Sequence, residues 1–107
     1  MGLEIKLIAD GQLPAAVGDL YTVPAGRQAI IKTMKLVNTY GSDITMNVYI
    51  QRAGGTGRRV IPMNMTLVSG NMCVLDDEVT LEAGDKIRGN ASVADVVDYT
   101  VFGVENA

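Results

Sequence analysis

The stretch ITMNVYIQ, from Ile44 to Gln51, decides the fold class. Its apolar residues fall on every second position, and its polar or amphipathic residues fall between them. Successive side chains of a β-strand point to opposite faces, so this pattern is typical of a strand with one face in a core. The core-facing set is predicted to be Ile44, Met46, Val48 and Ile50.

The same period of two recurs at both ends of the chain, around Ile5 and around Tyr99. We expect half-buried strands there as well. Leu3, Ile5 and Leu7 form the core-facing side of the first of these strands, and Val97, Tyr99 and Val101 form the core-facing side of the second. No segment of ten or more residues carries a helical stripe, and turn signals recur roughly every 8–12 residues. The chain is therefore predicted to be all-β, an antiparallel β-sandwich of about eight strands that is like a jelly roll.

The length of 107 residues fits a single β-sandwich domain over residues 1–107. Within it, residues 1–9 are predicted to form an N-terminal strand. That strand is expected to lie at an edge of its own sheet or to be exchanged with a neighbouring copy. Pro62 lacks the N–H that a sheet ladder needs, so the strand before it should end there or lie on an edge.

The composition argues against most chemistry. The chain has no His, one Cys and a net charge of −3. Without His it lacks the commonest general base and the usual zinc and copper ligands, so we expect no enzyme activity, no metal and no cofactor. The acidic balance disfavours nucleic acid as a partner. We also expect no signal peptide and no membrane segment, because no long apolar run is present. Cys73, in an apolar run, is expected to be a buried small hydrophobe.

One positive cluster is a candidate interface. Arg52, Arg58 and Arg59 flank a glycine-rich loop, and hairpin pairing is expected to bring them together. Arginine is enriched at protein interfaces because its planar guanidinium binds carboxylates in pairs. A solvated strand end explains the same residues, and both interpretations stay open.

An acidic run is its counterpart. Asp76, Asp77 and Glu78 are best explained as a turn of solvated charges, since the spacing of a calcium-binding loop is absent. They are also candidates for contact with the arginines of a neighbouring subunit. Met63 and Met72 lie near loops and are further interface candidates.

A stretch beginning YTVPAGRQAIIK at Tyr21 leads to LVNT at positions 36–39 and then to the Ile44 strand. With LEAGDKIRG at 81–89 and DYTVFGV at 98–104, it resembles small virion proteins of tailed bacteriophages, over residues 20–105. The resemblance implies a β-sandwich of the capsid cement or decoration type. Such a protein is made in the host cytoplasm and becomes part of the virion.

The resemblance also implies how such a protein acts. It assembles as a homo-oligomer, a dimer or trimer, and binds the assembled shell through the major capsid protein or another virion protein. Binding the shell stabilises it. The alternatives are a tail, collar or spike component, or a module that binds a carbohydrate or a receptor. No catalytic residues are carried over from the resemblance.

Overall fold

A computed structural model describes the chain over residues 3–76 and 78–106. Ten strands and no helix lie in these ranges, so none of the described residues forms a helix that could cross a membrane. The strands are β1 (Leu3–Gln12), β2 (Gly18–Thr22), β3 (Ala29–Asn38), β4 (Ile44–Gln51), β5 (Gly57–Arg59), β6 (Met65–Leu67), β7 (Met72–Leu75), β8 (Val79–Leu81), β9 (Lys86–Ala91) and β10 (Val97–Asn106).

The strands form two five-stranded antiparallel sheets. The first sheet has the order β1-β10-β3-β7, and β8 also pairs with β3. The second has the order β2-β9-β4-β5, and β6 also pairs with β4. Early strands pair with late ones throughout: β1 with β10, β2 with β9, β3 with β7 and β8, and β4 with β5 and β6. A long hairpin wound into two sheets has this pairing, which is that of a jelly roll. The predicted all-β sandwich is confirmed.

The count of ten strands differs from the expected eight because two strand positions are each split. β5 and β6 both pair with β4, at its two ends, and Pro62 lies in the gap between them. β7, ending at Leu75, and β8, beginning at Val79, likewise share β3. Both split positions lie at sheet edges, where proline and turn residues are tolerated.

The core lies between the sheets. Ile44, Met46 and Val48 are fully buried there, as their alternation predicts. Cys73 is only half-buried, contrary to expectation, because β7 is an edge strand whose inward side chains are covered from one side only.

The alternation in β1 has a different outcome. The predicted core face is wrong here, since Ile5 and Leu7 lie on the solvent side of the first sheet. β1 pairs with β10 of the same chain at the sheet edge, and its register shifts between Leu7 and Ala9. Exchange of this strand between copies stays a prediction.

Candidate functional site

The outer face of the first sheet carries an exposed apolar strip at one end. Ile5 is paired with Val104, and Leu7 is paired with Phe102. Ile5 is 91% exposed, Leu7 47% and Phe102 43%. Because directly opposed side chains on one face are neighbours, these two pairs form a continuous strip along β1 and β10. Lys32 of β3 borders the shallow groove between them.

Two further exposed apolar side chains lie at the far edge of the same outer face, separated from the strip by Thr33 and Lys35 of β3. On β7, Met72 is 58% exposed and Val74 is 49% exposed. Both face outward, opposite Val37 and Lys35 of β3. Exposed apolar patches that span several strands are uncommon on monomeric soluble proteins and mark sites of contact. We call the following residues the apolar face: Ile5, Leu7, Phe102, Met72 and Val74.

A β-bulge lies beneath this face. The register of β10 against β3 shifts between Phe102 and Gly103, so that Lys32 and Thr33 of β3 occupy the space of one residue. A Cβ atom on Gly103 would lie 2.1 Å from the carbonyl oxygen of Ile30, which leaves no room for any side chain. The bulge therefore requires glycine, and it turns Lys32 outward beside the apolar strip.

The outer face of the second sheet is polar, and its side chains bind one another. Asn47, only 7% exposed, donates from Nδ2 to Oδ1 of Asn64 at 3.0 Å and to Oδ1 of Asn90 at 3.2 Å. Its Oδ1 accepts from Nη1 of Arg59 and from the backbone N–H of Asn64. The Arg59 guanidinium also lies 4.9 Å from the centre of the Tyr49 ring. Every polar atom of the central amide is therefore satisfied within the chain.

The same face carries a compact ion cluster. Asp19 of β2 accepts from Nε of Arg88 at 2.7 Å and from Nζ of Lys86 at 3.1 Å. The hydrogen bond from Lys86 is the largest cause that lowers the pKa of Asp19, and Arg88 adds to it. The cluster joins neighbouring strands β2 and β9.

A buried carboxylate stabilises one rim of the sandwich. Asp85 is 3% exposed and accepts from Nη1 of Arg52 at 2.7 Å. It also accepts from the backbone N–H groups of Ala53 and Glu82, each at 2.9 Å. Burial alone would raise the pKa of Asp85, but the hydrogen bonds and the Arg52 charge outweigh it, so the pKa is lowered. The contacts fasten the loop after β4 to the turn before β9.

A second buried carboxylate joins the two sheets at another point. Glu105 of β10 accepts from the Tyr21 hydroxyl of β2 at 2.5 Å and from Nη1 of Arg27 at 3.0 Å. Burial, followed by the hydrogen bond to Glu105, raises the pKa of Tyr21 far above its ordinary value. Both buried carboxylates thus serve contacts between elements of the fold.

The described residues hold few groups suited to chemistry. Over 3–76 and 78–106, no three His, Cys, Asp or Glu side chains are close enough together to hold a metal ion. Burial raises the pKa of the Cys73 thiol, which makes its nucleophilic thiolate form scarcer. The apolar face is therefore the candidate functional site.

The three arginines predicted as one cluster flank the loop between β4 and β5, which pair as expected. Arg52 binds Asp85 and the Thr80 carbonyl oxygen, which it reaches at 2.8 Å. Arg58 and Arg59 are adjacent on β5, so their side chains point to opposite faces, and Arg59 belongs to the polar network. Contact of these arginines with another molecule stays a prediction.

The other sequence-predicted residues lie on or beside the split edge strands of the two sheets. Met63, in the gap between β5 and β6, is exposed, and Met72 lies on the apolar face. Asp76 is exposed, and Glu78 accepts from Nζ of Lys32 at 2.9 Å. Asp77 lies outside the described residues. Of the interface residues predicted from the sequence, only Met72 therefore belongs to the apolar face.

Sequence reasoning missed most of the apolar face, although β10 carries a signal for it. The even positions of this strand face outward, and they change from Asp98 and Thr100 to Phe102 and Val104 halfway along. A solvent face that turns apolar within one strand indicates a contact surface. Val74 gives no such signal, because its neighbours in sequence, Cys73 and Leu75, are also apolar and the strand shows no alternation.

Comparison with known proteins gives a likeness of fold. No protein-family model and no curated protein matches the sequence. Among solved structures, a chain in the structure of infectious bursal disease virus, Gx strain, superposes with a TM-score of 0.55 at 12% identity. A chain from the Gt strain of that virus gives a TM-score of 0.49 at 11% identity. The likeness covers 97% of this chain and 32% of each viral chain, so the chain spans about a third of their length. By the first of these superpositions, 97% of this chain has a fold similar to one part of a chain in the structure of that virus.

Proposed function

We propose that this chain is a structural protein of a virus particle, and specifically a capsid cement or decoration protein that binds the assembled shell. It acts by binding and not by catalysis, and it needs no cofactor. The observation that carries the proposal is the apolar face, which lies exposed on an otherwise well-satisfied sandwich. The fold likeness to part of a viral chain supports the broader role.

The phage assignment rests on other grounds. The viral chain comes from infectious bursal disease virus and gives no specific support for a bacteriophage. The resemblance of residues 20–105 to small phage virion proteins supports the narrower proposal. A fold alone does not determine a function, so the surface chemistry has to carry the argument.

The apolar face also specifies the chemistry of the partner. Ile5, Leu7 and Phe102 would bind an apolar surface on the shell, and the same outer face carries charges of both signs, Lys35 and Asp98. We therefore expect the shell to present an apolar patch with a polar rim, on the major capsid protein or another virion protein. The net charge of −3 makes nucleic acid a poor partner.

Selective binding explains how such a protein stabilises a shell. A ligand that binds the assembled state alone shifts its apparent stability by RT ln(1 + [L]/Kd) per site. Many copies bind one particle, so a modest affinity per copy is enough. A dimer or trimer would strengthen attachment further, because its second contact forms at a high effective concentration.

The proposal is tested by adding the purified chain to shells of the virus that encodes it. The intact chain should co-sediment with assembled shells, should not bind unassembled shell subunits, and should raise the temperature at which the shells disassemble. The double variant Ile5→Ser/Phe102→Ser removes two apolar side chains from the apolar face. We expect at least a tenfold loss of affinity, since central apolar anchors dominate interfaces.

Val68→Ser is the matched control, because Val68 is 47% exposed, like Leu7, but lies in the loop after β6. It should bind shells as the intact chain does. Equal binding by the double variant and the intact chain would overturn the assignment of this face. Saturable binding to a defined sugar on a glycan array, with no binding to shells, would favour the receptor-binding alternative.

A further inference from the structure

An apolar cavity lies between the two sheets. Its volume is about 200 Å³, and its inner wall is formed by Ile31 and Met34 of the first sheet and by Val48 and Ile87 of the second. All four of these side chains are buried. The cavity is therefore part of the interior, unlike the groove on the apolar face.

The cavity opens where both sheets have split edge strands. Val79, the first residue of β8, and Val60, just after β5, lie at its mouth. Val60 still donates its backbone N–H to the Val48 carbonyl oxygen at 3.0 Å, which holds it beside the opening. The chain then turns away at Pro62, so regular strand structure ends on both sides of the mouth.

We propose that this cavity binds a small uncharged apolar molecule, of the class of an aromatic hydrocarbon or a short alkyl chain. Its eight lining residues are all aliphatic or methionine, so they offer a ligand dispersion contacts and no side-chain hydrogen bonds. A buried water needs two to four polar partners, and no side chain of this lining supplies one. The volume exceeds that of a cavity of about 150 Å³ known to accept benzene.

The geometry favours a small molecule over a peptide or a polar ligand. The deepest wall residues, Val48 and Ile87, are at most 1% exposed and are reached only between the two sheets. An extended peptide would have to bring its backbone amides into an apolar site and leave them unsatisfied. A charged ligand would lose its hydration without gaining a partner.

The test uses benzene as the probe on the intact, isotope-labelled chain. Titration followed by methyl NMR should give saturable shifts at Ile31, Val48 and Ile87, and a rise of several degrees in the melting temperature at saturation. Benzoate, of similar shape but charged, should bind at least tenfold more weakly. Val79→Phe places a ring in the mouth and should weaken benzene binding at least tenfold.

Thr80→Phe is the matched control, because Thr80 neighbours Val79 on β8 but is exposed and faces away from the core. It should bind benzene as the intact chain does. If Val79→Phe does not fold, as judged by its melting curve, Val60→Phe fills the mouth from the other side and should give the same loss. Shifts confined to Ile5 and Leu7 of the outer groove, shifts that do not saturate, or undiminished binding by the folded mouth variant would each overturn the proposal.

Discussion

The outer faces of the two sheets have equally regular antiparallel backbones but different side-chain chemistry. On the second sheet, Asn47 and its partners satisfy one another and leave little for an outside molecule to bind. On the first sheet, Ile5 and Phe102 are exposed apolar side chains, and the Lys32–Glu78 ion pair beside them is itself exposed. One face therefore stabilises the fold, whereas the other contributes little to the fold and is available for contact.

The two faces thus hold two kinds of residue that the sequence does not distinguish. A buried amide such as Asn47 is costly to remove, because its partners would lose their hydrogen bonds. An exposed Ile5 is cheap to remove from the isolated chain, and its effect should appear only in a binding measurement. Substitutions on the two faces should therefore separate stability from binding.

The largest effect is expected at the bulge under the apolar face. Gly103→Ala forces a methyl group toward the Ile30 carbonyl oxygen, and backbone on both sides has to move. We expect a loss of about 3 kcal/mol or more in the free energy of unfolding, measured by urea denaturation. Gly41→Ala is the control, because a Cβ there meets nothing within 4 Å, and it should cause no loss. Equal stability of the two variants would mean that the bulge relaxes freely.

The next effect concerns the polar face. Asn47→Ala removes the group that binds Asn64, Asn90 and Arg59, and it should cost about 2 kcal/mol of unfolding free energy. Asn71→Ala, at an exposed position, should change stability by less than about 0.5 kcal/mol. If both variants changed the free energy of unfolding by a similar small amount, the polar face would contribute no more to stability than the apolar face does.

The sequence predicts part of this contrast. The Ile44 strand and the Ile5 strand show the same alternation, yet Met46 is fully buried and Ile5 is exposed. Alternation determines which residues share a face of a strand, but not whether that face meets the core. The direction is set by the pairing of β1 with β10, whose partners lie almost the whole chain apart in sequence.

Asn47 shows the converse. Its position in the alternation predicts a solvated side chain, whereas it is buried. Its side-chain partners Asn64 and Asn90 are 17 and 43 residues away, so no local pattern reveals the network. The split at Pro62, by contrast, is predictable because the missing N–H is a property of that residue alone.

Acid should weaken the polar contacts and spare the apolar face. The pKa of Asp85 is lowered from its ordinary value of 3.8, so the folded chain binds this proton less readily than the unfolded chain. Its stabilising contribution is complete above about pH 4 and is lost as the pH falls through the folded value. In urea denaturation at several pH values, Asp85→Asn should be less stable at pH 7 and less sensitive to acid than the intact chain. An unchanged acid dependence would show that Asp85 gains nothing from its contacts with Arg52, Ala53 and Glu82.

The smallest effect on stability is expected for Ile5→Ser. Because Ile5 is 91% exposed, folding hides little of its surface, and the free energy of unfolding of the isolated chain should change by less than about 0.5 kcal/mol. Leu36→Ala, at a fully buried position of the same sheet, should cost about 2–5 kcal/mol by comparison. A loss of about 2 kcal/mol in Ile5→Ser that grows with protein concentration would show that a second copy covers this face in solution. The apolar face would then be a homo-oligomer interface, and the contact with the shell would have to lie elsewhere on the chain.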